Sequence, residues 1–359
     1  MTTQTTPKVS GRVTMRHIAR QAGVAVTTVS SALHDTGRVS PDVKQRIHDI
    51  ADQMGYRPKL AARLLRASRT GRLAMIMVVG QGRNPSTLSQ SGSHGPIIAE
   101  FAFACSRMKI GFEIEYLETG KNKVAPECFT SGQVDGALVC GKLQDPDMAK
   151  WFSDNDEKFP CVHMDKVGPY NVWQDTGGGI YQAMQHLAAL GHRKVGYLGV
   201  DSNYHVHQAG RDAFDRAVSD FNLDDANGKW RQFITKEDAH IRSHWIDNQL
   251  INARKLLKSK NRPTAVMAQG VPDARCMVHA AMEMGLRIPD DLSIVTYGMP
   301  DDAEKSPPRL HCVEPDFAAM VPAAISMLRA RLAGETIAQK SLRIQPQFTE
   351  RCSVASCPQ

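Results

Sequence analysis

Much that would give a 359-residue chain an easy label is missing here. No run of 18 apolar residues occurs, so no membrane-spanning helix is expected. The opening MTTQTTPKVSGR is polar and has no apolar h-region, so no secretory signal is expected and the compartment is read as cytoplasmic. Eight cysteines (Cys105, Cys128, Cys140, Cys161, Cys276, Cys312, Cys352 and Cys357) are scattered without a C-x-x-C pair. That pattern predicts buried thiols rather than disulfides or a zinc site. No G-x-S-x-G nucleophile elbow is present, and Gly177-Gly178-Gly179 lacks the G-x-G-x-x-G spacing of a phosphate-cradling turn. His240 and His244 stand one helical turn apart, but with no adjacent Glu base and no third ligand in view. These absences argue against an enzyme, and neither a cofactor nor a metal is expected.

What is present begins at Met15–Leu33, MRHIARQAGVAVTTVSSAL. Apolar positions Ile18, Ala19, Ala22 and then Val29, Ala32, Leu33 flank a turn built on Gly23. Two short helices joined by a glycine turn are the helix-turn-helix signature. A third helix is predicted from Ser40 as N-cap and Pro41 at the first position. It continues through Val43, Ile47, Ile50, Ala51 and Met54, and Gly55 closes it. The second helix of such a motif presents its N-terminal half to base edges in the major groove.

Charge points the same way. Residues 1–69 hold twelve Lys or Arg against four Asp, a balance of +8 where the whole chain carries +7, leaving −1 for residues 70–359. A basic head on a neutral body is the electrostatic footprint of a polyanion binder confined to one end.

Beyond Pro58 the stretch KLAARLLRASRTGR predicts a helix too short to stand alone in water, a hinge that orders when held. From Leu73 the texture changes. Apolar runs LAMIMVV, EIEYL, GALVC, CVHM, KVGYLGV, WRQFI, TAVMAQ and LSIVTYG read as strands. They alternate with helical stretches at 97–109, 148–153, 179–190, 208–221, 242–258, 273–285 and 317–333. This alternation predicts parallel α/β sheets, in two lobes rather than one.

The run VTMRHIARQAGVAVTTVSSALHDTGRVSPDVKQRIHDIADQMGYRPKLAARLL resembles the head and hinge of the LacI/GalR (lactose/galactose repressor) family of bacterial transcription regulators. VDGALV, FPCVHMD, HLAALGHRKVGYLG, PTAVMA, EMGLRIPDDLSIVTYG and PPRLHCVEPDF resemble that family's core segments in their usual order. The resemblance implies a three-helix DNA-binding head over 1–57, a hinge helix and linker over 58–70, and a periplasmic-binding-protein-like core with parallel sheets over 71–359. By analogy lobe 1 takes about 71–190 and 316–338 and lobe 2 about 191–315 and 339–359, with crossovers near 190, 315 and 340.

It further implies a cytoplasmic homodimeric regulator, read as a repressor. Its partners would be a pseudo-palindromic double-stranded DNA operator and a small effector between the lobes, a sugar or sugar derivative by preference. The alternatives are a non-enzymatic solute-binding protein and an architectural DNA binder without effector control. Base-edge candidates are Val26, Thr27, Thr28, Ser30, Ser31 and His34. Backbone-phosphate candidates are Thr14, His17, Arg38, Arg57 and Lys59, and the hinge segment Ala62, Arg63 and Leu65 would supply the apolar wedge for the minor groove.

Where the family commonly has a bulky polar pair at 26–27 and Arg at 31, this chain has Val, Thr and Ser. Arg is the commonest reader of guanine, so direct readout is expected to lean on thymine methyls and hydroxyls. Ala25 stands where a Ser cap is usual, and His17 where an acid would box with Thr14; each is expected to cost about 1 kcal/mol of helix support.

Effector candidates follow the predicted strand ends: Cys140-Gly141-Lys142, Asp165-Lys166, Asp201–His207, Gln269-Gly270 and Gly298-Met299. Within them Cys140, Asp165, Asn203, His207, Gln269 and Gly270 are favoured, with Trp245 as a stacking ring and Phe317 at the start of the last helix. His207, Gly270-Val271 and Gly298 replace the family's Arg, Asn-Asp and Asp, removing groups suited to a standard hexose.

Overall fold

The computed structural model describes residues 13–33, 37, 39–54, 69–80, 94–120, 124–141, 143, 145–202, 204–234 and 242–358, the side chains of 242–244 excepted. The candidates His34, Arg38, Arg57, Lys59, Ala62, Arg63, Leu65 and Asn203 lie outside these residues, as do Gly55, Lys142 and His240. The chain divides into two compact units, 1–70 and 71–359.

The first unit holds α1 (Met15–Ala22), α2 (Val26–Leu33) and α3 (Pro41–Gln53). Gly23 takes a left-handed conformation (φ 65°) that ends α1 and turns the chain into α2, a geometry that favours glycine. Pro41 opens α3, where its missing N–H costs nothing. Ser40 holds the N-cap position but makes no side-chain cap bond. Ile18, Val29 and Ile47 are fully buried between the helices with Ala19, Ala22, Ala32 and Ala51 around them. Each of the three large side chains contributes roughly 1.5–3 kcal/mol of burial, enough to organise a small three-helix core.

The second unit opens with β1 (Arg72–Val79), α4 (His94–Arg107), β2 (Gly111–Glu118) and α5 (Glu127–Thr130). It continues through β3 (Gly136–Gly141), α6 (Pro146–Asp154), β4 (Cys161–His163) and β5 (Asn171–Gln174). Next come α7 (Thr176–Ala189), β6 (Val195–Val200), α8 (His205–Asp220), β7 (Arg231–Ile234) and α9 (Arg242–Leu257). β8 (Ala265–Ala268), α10 (Val271–Glu283), β9 (Ser293–Tyr297), α11 (Pro300–Glu304) and β10 (His311–Glu314) follow. The chain closes with α12 (Phe317–Ala333), β11 (Ser341–Ile344) and β12 (Gln347–Thr349).

Two six-stranded sheets result. The first has the order β11-β5-β4-β3-β1-β2 and is parallel throughout. The second has the order β12-β10-β9-β8-β6-β7 and is parallel except at β12. Helices cover both faces of each, which is why the central strands are continuous apolar runs: seven of the eight residues of β1 are buried. Alternate β1 residues divide between two packings. Leu73, Met75 and Met77 meet Phe101, Val321, Ile325 and Leu328, while Ala74, Ile76 and Val78 meet Phe129, Met148 and Phe152.

The crossovers correct two expected boundaries. The chain passes from lobe 1 to lobe 2 at Asp175, not near 190. α7 buries Ile180, Ala183, Met184 and Leu187 against Val195, Tyr197 and Phe214 of the second sheet. The return crosses at Pro315-Asp316, and the last passage falls at Gln345-Pro346 rather than 340, because Ser341–Ile344 pairs in parallel with Asn171–Gln174 of the first sheet. The passages are fastened to one another. Gln174 donates from Nε2 to the Asp316 carbonyl (2.9 Å) and accepts from its N–H (3.3 Å), and Gln345 donates to Asp175 (3.2 Å). Pro346 sits where a Cβ on Gly179 would be.

Candidate DNA-reading surface and effector cleft

At the start of α1 the structure corrects an expectation. Thr14 and His17 do form a capping box, with the Thr14 N–H donating to Nδ1 of His17 at 3.2 Å. An imidazole nitrogen is an acceptor as serviceable here as a carboxylate, so the expected loss of support does not arise at this end. The half-buried His17 is thereby a capping residue through its Nδ1. Thr14 is exposed.

At the start of α2, Ala25 supplies only its carbonyl, which accepts the Val29 N–H. Ala25, Val26 and Thr27 are exposed, whereas Thr28, Ser30 and Ser31 are half-buried. A Cβ on Gly37 would lie 3.4 Å from the Ser31 hydroxyl, so that side chain leans towards the segment after α2. The open edge is therefore a methyl-bearing pair, Val26 and Thr27, without a guanidinium among the described residues of α2. Arg46 reaches back from α3 and donates to the Ala22 carbonyl (3.0 Å), bracing the bundle.

In the second unit each lobe reverses its strand order beside its first strand, between β1 and β3 and between β6 and β8. Ligands of such sheets sit outside the carboxyl ends of strands at these switch points. At the first, Gly141 (φ 107°) has no room for a Cβ, which would fall 2.2 Å from the Val78 carbonyl oxygen. Cys140 beside it is buried, and its thiol is pushed up to about 12 by burial and then by Asp165. Asp165, on the loop after β4, is also buried and accepts the Lys166 N–H at 2.8 Å.

From lobe 2, His205 at the head of α8 comes to meet it, with Nδ1 3.0 Å from Asp165 Oδ1. The His205 ring also stands edge-on to Trp173 (5.7 Å), whose face carries the Lys166 ammonium at 4.8 Å. His207 is half-buried, its Nδ1 2.6 Å from the Ser202 hydroxyl and its ring edge-on to Tyr204. Tyr204 is pushed well above the usual phenol range by burial and by neighbouring Asp165. Arg211 fixes this β6–α8 turn by donating to the carbonyls of Val200 (2.9 Å) and Ser202 (3.0 Å).

At the second switch point Gln269 Oε1 accepts the Val200 N–H (2.7 Å) while its buried Nε2 has no partner. Gly270 is the N-cap of α10, close to Asp273. Asp165, Gln269 and Gly270 thus lie just beyond strand ends, and His207 lies in the first turn of the helix after β6. Phe317 does not join them: it is buried in the lobe 1 core with Met320, so its expected effector role is corrected to packing. Trp245 is half-buried in the first turn of α9. The strand reading passed over Trp173, and it included His205 in the stretch Asp201–His207 without favouring it. Trp173 is the last residue but one of the strand before a crossover, and His205 opens the helix that follows β6.

Two family models match the chain. "Bacterial regulatory proteins, lacI family" covers residues 14–59, and "Periplasmic binding protein-like domain" covers 184–354. Among curated relatives, the HTH-type transcriptional repressor PurR of Mannheimia succiniciproducens is 28% identical over 355 residues, covering 95% of this chain and 98% of that one. The PurR of Pectobacterium atrosepticum is 24% identical over 364 residues, with 96% and 98% covered. Among solved structures, a lac repressor dimer bound to operator and the anti-inducer ONPF shares the fold at TM-score 0.73 and 17% identity, covering 96% of this chain and all of that one. A CelR–cellobiose complex does so at 0.67 and 20%, covering 95% and all of that one.

Head and core together define a DNA-binding transcriptional regulator with a periplasmic-binding-protein-like sensing core. The chain belongs to the LacI/GalR family. Among the described residues no helix is long and apolar enough to cross a membrane.

Proposed function

We propose that the chain is a homodimeric repressor whose paired heads read a pseudo-palindromic operator and whose core clasps a small polar effector, carbohydrate-like by preference. The observation that carries effector control is the meeting of Asp165 from lobe 1 with His205 from lobe 2 at 3.0 Å. A ligand entering between the lobes exchanges with this contact and so biases opening against closure. The cleft offers a carboxylate, two imidazoles, the Ser202 hydroxyl and the Trp173 ring, a donor and acceptor set matched to a hydroxyl-rich molecule. Cellobiose is the ligand of the CelR structure that shares this fold.

A second copy is the partner that the surface favours. Phe103 (61% exposed), Ile114 and Tyr116 stand out on α4 and β2, and Ile246, Ile251 and Met282 (71% exposed) on α9 and α10. Exposed apolar side chains in both lobes fit a long self-complementary interface.

In the head, Val26 and Thr27 favour thymine methyl contacts over guanine. Selection of binding sites from random duplex DNA by the full-length protein should return half-sites that depart from the family pattern where arginine normally reads. The ordinary family palindrome would refute this reading of the head. Binding that falls steeply with salt yet shows no sequence preference would instead favour the architectural binder. A thermal-shift screen of the full-length chain against sugars, uronates and nucleobases tests the effector class, since a ligand of the folded state raises the midpoint by mass action.

A further inference from the structure

Away from the cleft, α7, β10 and the segment after β12 bring His186, His311 and Glu350 together on lobe 2. One ring nitrogen from each histidine and one carboxylate oxygen all lie within 4.8 Å of one another. Nδ1 of His186 is 3.7 Å from Oε1 of Glu350, and the two imidazoles are 5.8 Å apart between centroids. We propose that these three side chains bind a divalent transition metal of the zinc class.

The donor set selects the metal. Two imidazoles and one carboxylate suit zinc, cobalt or nickel, whereas magnesium and calcium require oxygen ligands throughout. At bond lengths of about 2.1 Å, tetrahedral ligands stand roughly 3.4 Å apart, so the group has to contract by about 1 Å. The mobile member is available: Glu350 has a side chain 66% exposed, while His186 sits on a helix and His311 on a strand.

His311 is buried and held at the back of the site. Its Nδ1 lies 3.3 Å from the Arg351 N–H and 3.4 Å from the Ser353 hydroxyl, and the Phe348 ring packs on both imidazoles. Metal binding through Nε2 requires the ring proton on Nδ1, where it donates to the Ser353 hydroxyl oxygen in place of the contact that Nδ1 accepts from the Arg351 N–H. That hydroxyl is then the outer-shell partner that orients the ligand. The neighbouring cation does not oppose the ion, because the Arg351 guanidinium is engaged by Glu304 (2.7 Å) and Glu314 (2.5 Å). Three ligands leave the remaining coordination positions to water on the side of Glu350.

The metal would join a helix, an interior strand and the C-terminal segment. That segment closes lobe 2 through Ser353, whose hydroxyl donates to the Ile294 carbonyl, and through the Cys357 N–H, which donates to the Leu190 carbonyl. An ion bound only by the folded arrangement stabilises it by mass action.

The test uses the full-length protein, stripped with a chelator and titrated with cobalt(II). One equivalent per chain should give ligand-field absorption that zinc displaces, and zinc should raise the thermal midpoint by several degrees. His186→Ala and Glu350→Gln, both at the solvent side, should weaken binding at least about tenfold with an unchanged circular dichroism spectrum. His311→Ala should abolish it. The proposal is overturned if no cobalt equivalent is taken up, if His186→Ala and Glu350→Gln bind as the wild type does, or if the signal disappears in the double variant His240→Ala/His244→Ala instead.

Discussion

The two lobes are wound alike and both hold imidazoles lowered by burial, and the contrast between them is one carboxyl in lobe 2 that burial raises. Lobe 1 buries a base. His163 on β4 is 3% exposed, packs edge-on to Phe152, leaves Nδ1 without a partner and is driven down to about 4 by burial. Lobe 2 buries an acid. Asp273 in the first turn of α10 is also 3% exposed, accepts from the Gln249 amide and is pushed up to about 7 by burial. One strand order therefore tolerates either kind of ionisable group inside, provided the charge is given up, and the cost reappears as pH dependence of opposite sign. Lobe 2 also holds His192 and His311, both lowered by burial, so the contrast has to be read from variants rather than from the whole protein.

The largest expected effect ignores charge altogether. Phe101→Ala removes a fully buried ring that stands edge-on to Phe112, and should cost about 3–5 kcal/mol in urea unfolding. A loss below about 1 kcal/mol would mean that lobe 1 is not the close-packed layer described.

Asp273→Asn comes next. The folded-state pKa lies above the unfolded value, so the wild type binds the extra proton when folded and loses stability as pH rises from about 4 to about 7, by at most about 4 kcal/mol. The Asn variant keeps an acceptor for Gln249 and should lack that fall, ending more stable than the wild type at pH 8. Parallel pH profiles for the two proteins would remove the acid from the comparison.

His163→Leu should act in the opposite direction. The folded pKa lies below the unfolded one, so its contribution is complete above about 6.5 and is lost as pH falls towards about 4, by at most about 3 kcal/mol. The Leu variant should fall less steeply on acidification, measured as unfolding free energy at successive pH values.

The smallest effect is at the contact between the lobes. Asp165→Asn should change stability by about 0.5–1 kcal/mol, because His205 is partly solvated. The same change should widen the small-angle scattering profile of the ligand-free protein. An unaltered profile would deny the pair any part in closure.

How legible was this molecule in its sequence? The apolar runs LAMIMVV, GALVC and KVGYLGV became β1, β3 and β6, because strands buried on both faces carry their own signature. The helix-turn-helix was equally plain, since its turn needs a glycine at positive φ. The allegiance of α7 was not. An amphipathic helix declares that it has an apolar face, not which sheet receives it. β11 pairs with β5 across 170 positions, and no local pattern encodes that choice.

The cleft divided along the same line. Asp165, His207 and Gln269 could be read as strand-end residues, whereas the approach of Asp165 to His205 joins two lobes and needed coordinates. His17 is a different case. Scanning for an acid at the third helical position missed that an imidazole nitrogen accepts the same N–H.

The amide of Gln174 has a consequence for how the core can move. Three separate ribbons between two bodies would allow sliding, twisting and bending in combination. With the first ribbon riveted to the second through the Asp316 peptide, and to the third through Gln345, the three behave as one leaf. The lobes are then left with a single swing, so whatever tilts one end of the cleft tilts the other by the same angle. Gln174→Ala should unlock the remaining freedoms, and a cleft that no longer opens about one axis would pass an uncertain message to whatever is attached beyond Gly71.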